Sequence, residues 1–274
     1  MPLVCRRPAP PLEAFVDVLW SSSRDACPHP RELNLPTGCA DLVIPLGVGA
    51  SPGVLIGACD QATSRDTSQP STVVGVHFKP GGLSAFFDAP AGEFSNRRLE
   101  LGDVWGRFAV ELGERLAEVE EPAERLALLE QLLQARLRRR EIDPLVRFAL
   151  ARFRAQASRP SVGAVQRASG VSAERFIERF RDAVGLAPKR YLRVARLRTL
   201  LERVAARGSA NWGDLAFEFG FSDQAHLVRE FRDLSGLTPG AYRPIAARQP
   251  MHVALGLPAE KPSRRAPRAG LRSG

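Results

Sequence analysis

Along the first hundred residues, apolar side chains come in short runs closed by turn formers: Asp41-Leu-Val-Ile-Pro-Leu46, Gly53-Val-Leu-Ile-Gly57 and Thr72-Val-Val-Gly-Val-His-Phe78. Runs of this length bounded by Gly, Pro, Ser and Asp predict strands, and their density predicts a compact β sandwich or barrel. Pro80-Gly81-Gly82 reads as a turn. From Trp105 the period changes, because Leu126, Leu129, Leu133 and Leu137 recur at steps of three and four with charged residues between them. That spacing predicts an amphipathic helix, which either lies on the β domain or pairs with its twin in a homodimer along a short coiled-coil-like seam. From about Gln249 to Gly274 the chain is rich in Pro, Arg, Ala and Gly without apolar periodicity, and a flexible basic tail is expected.

The region between holds an internal repeat. Gly170-Val171-Ser172 is echoed fifty residues later by Gly220-Phe221-Ser222. After one inserted residue, Phe180-Arg181-Asp182, Gly185-Leu186, Pro188 and Tyr191 return as Phe231-Arg232-Asp233, Gly236-Leu237, Pro239 and Tyr242. Two copies of one supersecondary unit follow. In the second copy, Trp212 to Phe219 reads as a short helix with Leu215, Ala216 and Phe219 inward, and Gly220 ends it in the left-handed conformation. Ser222 stands at the N-cap position of the next helix, whose stripe is Leu227, Phe231 and Leu234; Gly236 closes that helix and Pro239 opens another. The first copy repeats the plan with Val165, Gly170, Ser172, Phe176 and Phe180. Pro188 to Arg207 has no breaker and predicts one long helix with Val194, Leu197 and Leu201 inward.

Helix, glycine turn, helix is the helix-turn-helix plan. The run Ala216, Gly220-Phe221, Leu227, Phe231-Arg232, Gly236, Thr238-Pro239 and Tyr242-Arg243 resembles the C-terminal signature of the AraC/XylS family of transcription regulators. The resemblance covers roughly 142–245. It implies a seven-helix module whose two recognition helices, joined by the long helix, enter successive major grooves on one face of double-stranded DNA. The N-terminal half is similar only in general outline to the β-rich sensor or dimerisation domains that precede such modules. The expected fold class is α+β: a β-rich sandwich or barrel-like sensor domain at 1–104, a helical linker or dimerisation segment at 105–141, an all-α double helix-turn-helix domain at 142–245, and the basic tail at 246–274.

With Leu227 and Phe231 inward, the second recognition helix turns Ala225, His226, Arg229 and Arg232 outward, flanked by Gln224 and Val228. Gln224, Ala225, His226, Val228 and Arg229 are the candidate base readers: Arg suits guanine, Gln adenine, and Ala or Val a thymine methyl. On the first recognition helix the outward set is Glu174, Arg175, Glu178 and Arg181, with Ile177 at the margin. Glu174, Arg175, Ile177 and Glu178 are the candidate readers there. The two acids and Gln166, in the place of the small Ala216, depart from the family pattern. Phosphate contacts are expected from Ser172 and Ser222 above the helix N-termini and from Arg190, Arg193, Arg232 and Arg243.

Charge divides along the chain in the same sense. The net +9 of the 274 residues splits into +14 over residues 145–274 and −5 over residues 1–144, which makes the helical half the polyanion-binding candidate. The alternative for that half is a bundle that binds a protein partner. The four cysteines, Cys5, Cys27, Cys39 and Cys59, lie within the first sixty residues without a CxxC pair. They read as reduced thiols, with a redox-sensing pair as the sharper hypothesis. Polar candidates for an effector site are His29, Glu32, Asp41 and His77, none at metal-binding or catalytic spacing. No Gly-rich phosphate loop, HExxH or GxSxG is present and the chain has four His, so neither metal nor cofactor is expected and an enzyme is not the reading; a β-barrel enzyme with an appended DNA-binding domain is the least favoured alternative. No membrane segment is read, and a cytoplasmic location is expected. Besides DNA, the partners in view are RNA polymerase, an unidentified small-molecule effector and a second copy of the chain.

Overall fold

The fold was described from a computed structural model covering residues 3–25, 29–47, 49–138, 141–155, 161–208 and 211–255. Eight strands precede the helices: β1 (Val4–Arg6), β2 (Val16–Arg24), β3 (Arg31–Asn34), β4 (Asp41–Leu46), β5 (Val54–Ile56), β6 (Thr63–Asp66), β7 (Ser71–Phe78) and β8 (Arg98–Glu100). Six of them form one antiparallel sheet in the order β1-β2-β7-β4-β5-β8. The three strands expected from sequence lie at its centre. The register Leu19↔Val76↔Leu42↔Leu55 puts these side chains on one face, where all four are buried.

That face is covered by α1 (Leu101–Trp105), α2 (Arg107–Ala117) and α3 (Pro122–Arg136). Leu112 and Leu116 of α2 and Leu126, Leu129 and Leu133 of α3 join the sheet residues in one core, with Leu137 packed at its margin. The structure therefore decides between the two sequence readings: the leucine stripe is consumed inside the chain and is not free to form a dimer seam. The N-terminal domain is accordingly built on an antiparallel sheet with helices packed on one face, within the expected α+β class, and the helices of residues 101–136 pack into its core. The sequence showed the helix but not its partner, because an amphipathic stripe fits any apolar surface.

The C-terminal half consists of α4 (Pro144–Ala155), α5 (Val162–Ser169), α6 (Ala173–Val184), α7 (Pro188–Arg207), α8 (Trp212–Glu218) and α9 (Gln224–Ser235), followed by a single 3-10 turn at Pro239–Ala241. The seventh helix of the expected module is thus one turn long. A further strand, β9 (His252–Leu255), then pairs with β3 to complete a second sheet, β6-β3-β9. This corrects the expectation of a flexible tail from residue 246: Val253 is buried in the helical core and the backbone of β9 satisfies the open edge of β3. The remainder of that expectation, residues 256–274, lies outside the described residues. Because Leu33 and Leu35 also pack into the helical core, the small sheet joins the two halves.

Candidate nucleic-acid interface

The two copies of the repeat fold alike. Gly170 and Gly220 both take φ +72°, the left-handed conformation in which a Cβ is strained. In the second copy the Phe221 amide donates to the Ala216 carbonyl at 2.8 Å and closes the turn. In the first copy the equivalent positions are tied through a side chain, since Gln166 Nε2 donates to the Val171 carbonyl at 2.6 Å. The departure at Gln166 is therefore a substitute staple between the same two positions, a role that its place in the repeat did not reveal.

Ser172 caps α6 as expected, its Oγ accepting from the Arg175 amide at 3.3 Å. The expected cap at Ser222 is corrected by one residue: Asp223 accepts from the His226 amide at 2.6 Å, and Ser222 precedes it. A carboxylate is the stronger acceptor beside unpaired amides, and that hydrogen bond, ahead of smaller contributions, holds the Asp223 carboxyl below the usual range. Ser222 Oγ lies 3.1 Å from both Asp223 Oδ2 and His226 Nδ1, and the Ser222 amide donates to the same Nδ1 at 3.3 Å. With Nδ1 accepting, His226 presents Nε2–H outward. Its ring also stands edge-on to Phe221 at 5.4 Å. His226 thus organises the turn as well as bordering the outward face.

Along α9 the inward set is Leu227, Phe231 and Leu234, all buried, whereas Gln224, Ala225, Arg229 and Arg232 are exposed and Val228 is half-buried. Gln224, Arg229 and Arg232 make no side-chain hydrogen bond or ion pair among the described residues. On α6, Phe176 and Phe180 are buried, while Glu174, Arg175, Ile177, Glu178 and Arg181 are exposed. Arg179, which sequence reasoning passed over, makes a two-pronged bond to Asp143 at 2.9 and 2.6 Å. The C-terminal end of α6 rests on the N-terminal domain around Gly92 and Ala91.

The basic candidates for phosphate separate by their partners. Arg193 is held by α9, its Nε 2.8 Å from Glu230 Oε2 and its second arm on Asp233. Arg190 pairs with Asp60 at 3.2 Å yet stays exposed. Arg243 donates to the carbonyls of Gly240 and Tyr242, and Arg232 is exposed on α9. Two glycine-turn units, each presenting a capped helix with a polar outer face and joined through α7, make up the geometry of a double helix-turn-helix.

Residues 165–244 match a family model described as a helix-turn-helix domain. This is a helix-turn-helix domain of the AraC type. Such a domain marks a DNA-binding transcription regulator. Residues 6–100, ahead of the helix-turn-helix domain, match a domain of unknown function (DUF6597). No curated protein matches the chain. Among solved structures, ToxT from Vibrio cholerae aligns over 88% of this chain and 96% of its own at 10% identity and a TM-score of 0.40. ToxT from Vibrio cholerae O395 bound to (E)-4-(8-methylnaphthalen-1-yl)but-3-enoic acid aligns over the same shares at 10% identity and a TM-score of 0.42.

The effector candidates gather beyond the helix-turn-helix domain. Buried Glu32 of β3 faces Arg65 Nε at 2.5 Å, His29 Nε2 at 3.5 Å, Arg24 at 3.8 Å and His252 of β9 at 4.0 Å. Burial pushes the Glu32 carboxyl up, but Arg65 and its neighbours outweigh it and the net shift is downward. Asp41 and His77 pair across β4 and β7 at 2.6 Å. Among the described residues no His, Cys, Asp and Glu group of three or more could hold a metal ion, and no helix is long and apolar enough to cross a membrane. Cys5, Cys39 and Cys59 are free thiols rather than a bonded pair; Cys27 lies outside the described residues.

Proposed function

We propose that the chain is a sequence-specific regulator whose α9 is the principal reader of the major groove and whose α6 positions the module or reads a cytosine. The supporting observation is the outward face of α9: Gln224, Ala225 and Arg229 stand exposed beside His226 and Val228, while Leu227 and Phe231 fix the helix from within. Arg229 suits a bidentate contact to guanine and Gln224 one to adenine, each discriminating by about 1–3 kcal/mol. On α6, Arg175 and Ile177 are flanked by Glu174 and Glu178, acids that phosphates repel but that accept from a cytosine amino group. Ser172, Ser222, Arg190, Arg232 and Arg243 supply the backbone contacts, and Arg193 acts through α9. The N-terminal domain takes the signal input and a bound regulator recruits or blocks RNA polymerase.

The test is binding of the purified protein to its own upstream DNA against unrelated DNA across a salt series, with Arg229→Ala alongside. A preference of about 10³ for one site, weakened at defined bases by the substitution, is the expected result. Equal and steeply salt-dependent binding to both DNAs would leave a merely basic module, and absence of binding would favour a protein-partner bundle.

A further inference from the structure

Residues 57–62 cross from β5 of the large sheet to β6 of the small one, and on the way they touch the DNA-binding half at three places. Ala58 is buried in the helical core, against the end of α6, where a Cβ on Gly185 would stand 3.0 Å from that of Ala58. Asp60 pairs with Arg190 in the first turn of α7 at 3.2 Å. The Ala62 amide donates to the Leu234 carbonyl in the last turn of α9 at 3.0 Å. One short connection therefore meets the C-terminal ends of both recognition helices and the start of the helix that links them.

The connection is itself held from behind. Asn96, at φ +55°, donates its amide to the Ala58 carbonyl at 3.1 Å, and its Oδ1 accepts from the Asp60 amide at 3.0 Å. The Gly57 amide donates to the Arg97 carbonyl at 3.0 Å, and Gly57 lies so close to Phe94 that a Cβ would overlap the Phe94 carbonyl. The turn that ends at Phe94 also backs α6, since a Cβ on its Gly92 would lie 3.3 Å from the Arg181 side chain. Along α9, Arg193 of α7 holds Glu230. A helix gripped along one flank keeps freedom to tilt about that grip, and a pinned backbone at its end removes that freedom.

We propose that residues 58–62 are a spacer through which the N-terminal domain fixes the separation and tilt of α6 and α9, with Asp60 a positioning residue that acts through Arg190. The Asp60 side chain is 13% exposed and that of Arg190 61%, so a shielded carboxylate aims the guanidinium and leaves its outer side to a phosphate. Two linked reading modules reinforce one another when their separation matches that of their half-sites, and a rigid link makes the match strict. The spacer thus selects the half-site spacing that the chain accepts. That consequence rests on the DNA reading above; the restraint on the two helices does not.

The test uses the full chain with Asp60→Asn and, separately, Ala62→Pro, which lacks the amide that Leu234 accepts from. Spin labels are carried on ketone-bearing unnatural side chains at the exposed positions of Glu178 and Ala225, and their separation is read by pulsed electron spin resonance. The parent is expected to give one narrow distance distribution and the variants broader ones, with native thermal melting retained in at least one. On upstream DNA footprinted by the parent, one base pair inserted between the two protected segments moves the second by about 3.4 Å and about 35°. The insertion is expected to cost the parent about tenfold in affinity and the variants about threefold. An unchanged distribution in a folded variant, an equal insertion penalty in parent and variants, or loss of native melting in both variants would overturn the spacer. Broadened distributions in a chain that does not tell its upstream DNA from unrelated DNA would leave the restraint standing and overturn the regulator reading alone.

Discussion

Arg193 of α7 grips Glu230 of α9, its Nε 2.8 Å from Oε2, and so fixes the angle at which the second recognition helix leaves the core. Both side chains are largely shielded, and truncating one leaves the other short of its partner. Arg193→Ala is expected to weaken DNA binding while leaving the slope of log affinity against log salt unchanged, because the guanidinium acts on the helix rather than on phosphate. Arg243→Ala is expected to reduce that slope by about 1. A salt series on the two variants checks the contrast.

The cap at Asp223 carries a pH signature. Its folded-state carboxyl is held below the ordinary range, first by the His226 amide, so its contribution is present above the unfolded value and is lost as pH falls through the folded one. Asp223→Ala is expected to lower the melting temperature at pH 7, with the gap from the parent closing at acid pH. Melting curves at pH 7 and pH 3 decide it.

His77 has the opposite sign. Its folded value is raised, so the stability it lends is full below the unfolded value near 6.5 and is lost as pH rises through the raised one. Asp41→Asn removes the carboxylate that holds the proton. The expected outcome is a variant less stable than the parent at pH 6 whose deficit shrinks toward alkaline pH, read by denaturant titration.

Glu32 holds the small sheet together. Removing this buried carboxylate takes from Arg65 and Arg24 the counter-charge that they share. Glu32→Ala is expected to cost about 3 kcal/mol, measured by urea unfolding. Ending the chain at Gln249 removes β9 and uncovers the edge of β3, and is expected to destabilise the protein as well, which a truly flexible tail would not do.

At Gly185, φ is +97° and a Cβ would stand 3.0 Å from that of Ala58, where the end of α6 meets the N-terminal domain. Gly185→Ala is expected to lower stability by about 1–2 kcal/mol, in proportion to the left-handed strain and the crowding. Thermal melting checks it.

The sequence by itself determined the local devices of the DNA-binding half. Gly170, Gly220 and Gly236, the inward stripes through Phe176 and Phe231, the unbroken α7 and the outward position of Arg229 all follow from periodicity and backbone conformation within a few residues, and the doubled spacing reinforced each. What remained hidden involved partners far along the chain. That Leu126 to Leu133 would lie on the sheet, that Arg193 would be spent on Glu230, that His252 would return to Glu32, and that Cys39 would meet Arg198 depended on which surfaces came together. Composition and periodicity say that a side chain seeks a partner, whereas the choice among partners of equal chemistry is made by packing the whole chain at once.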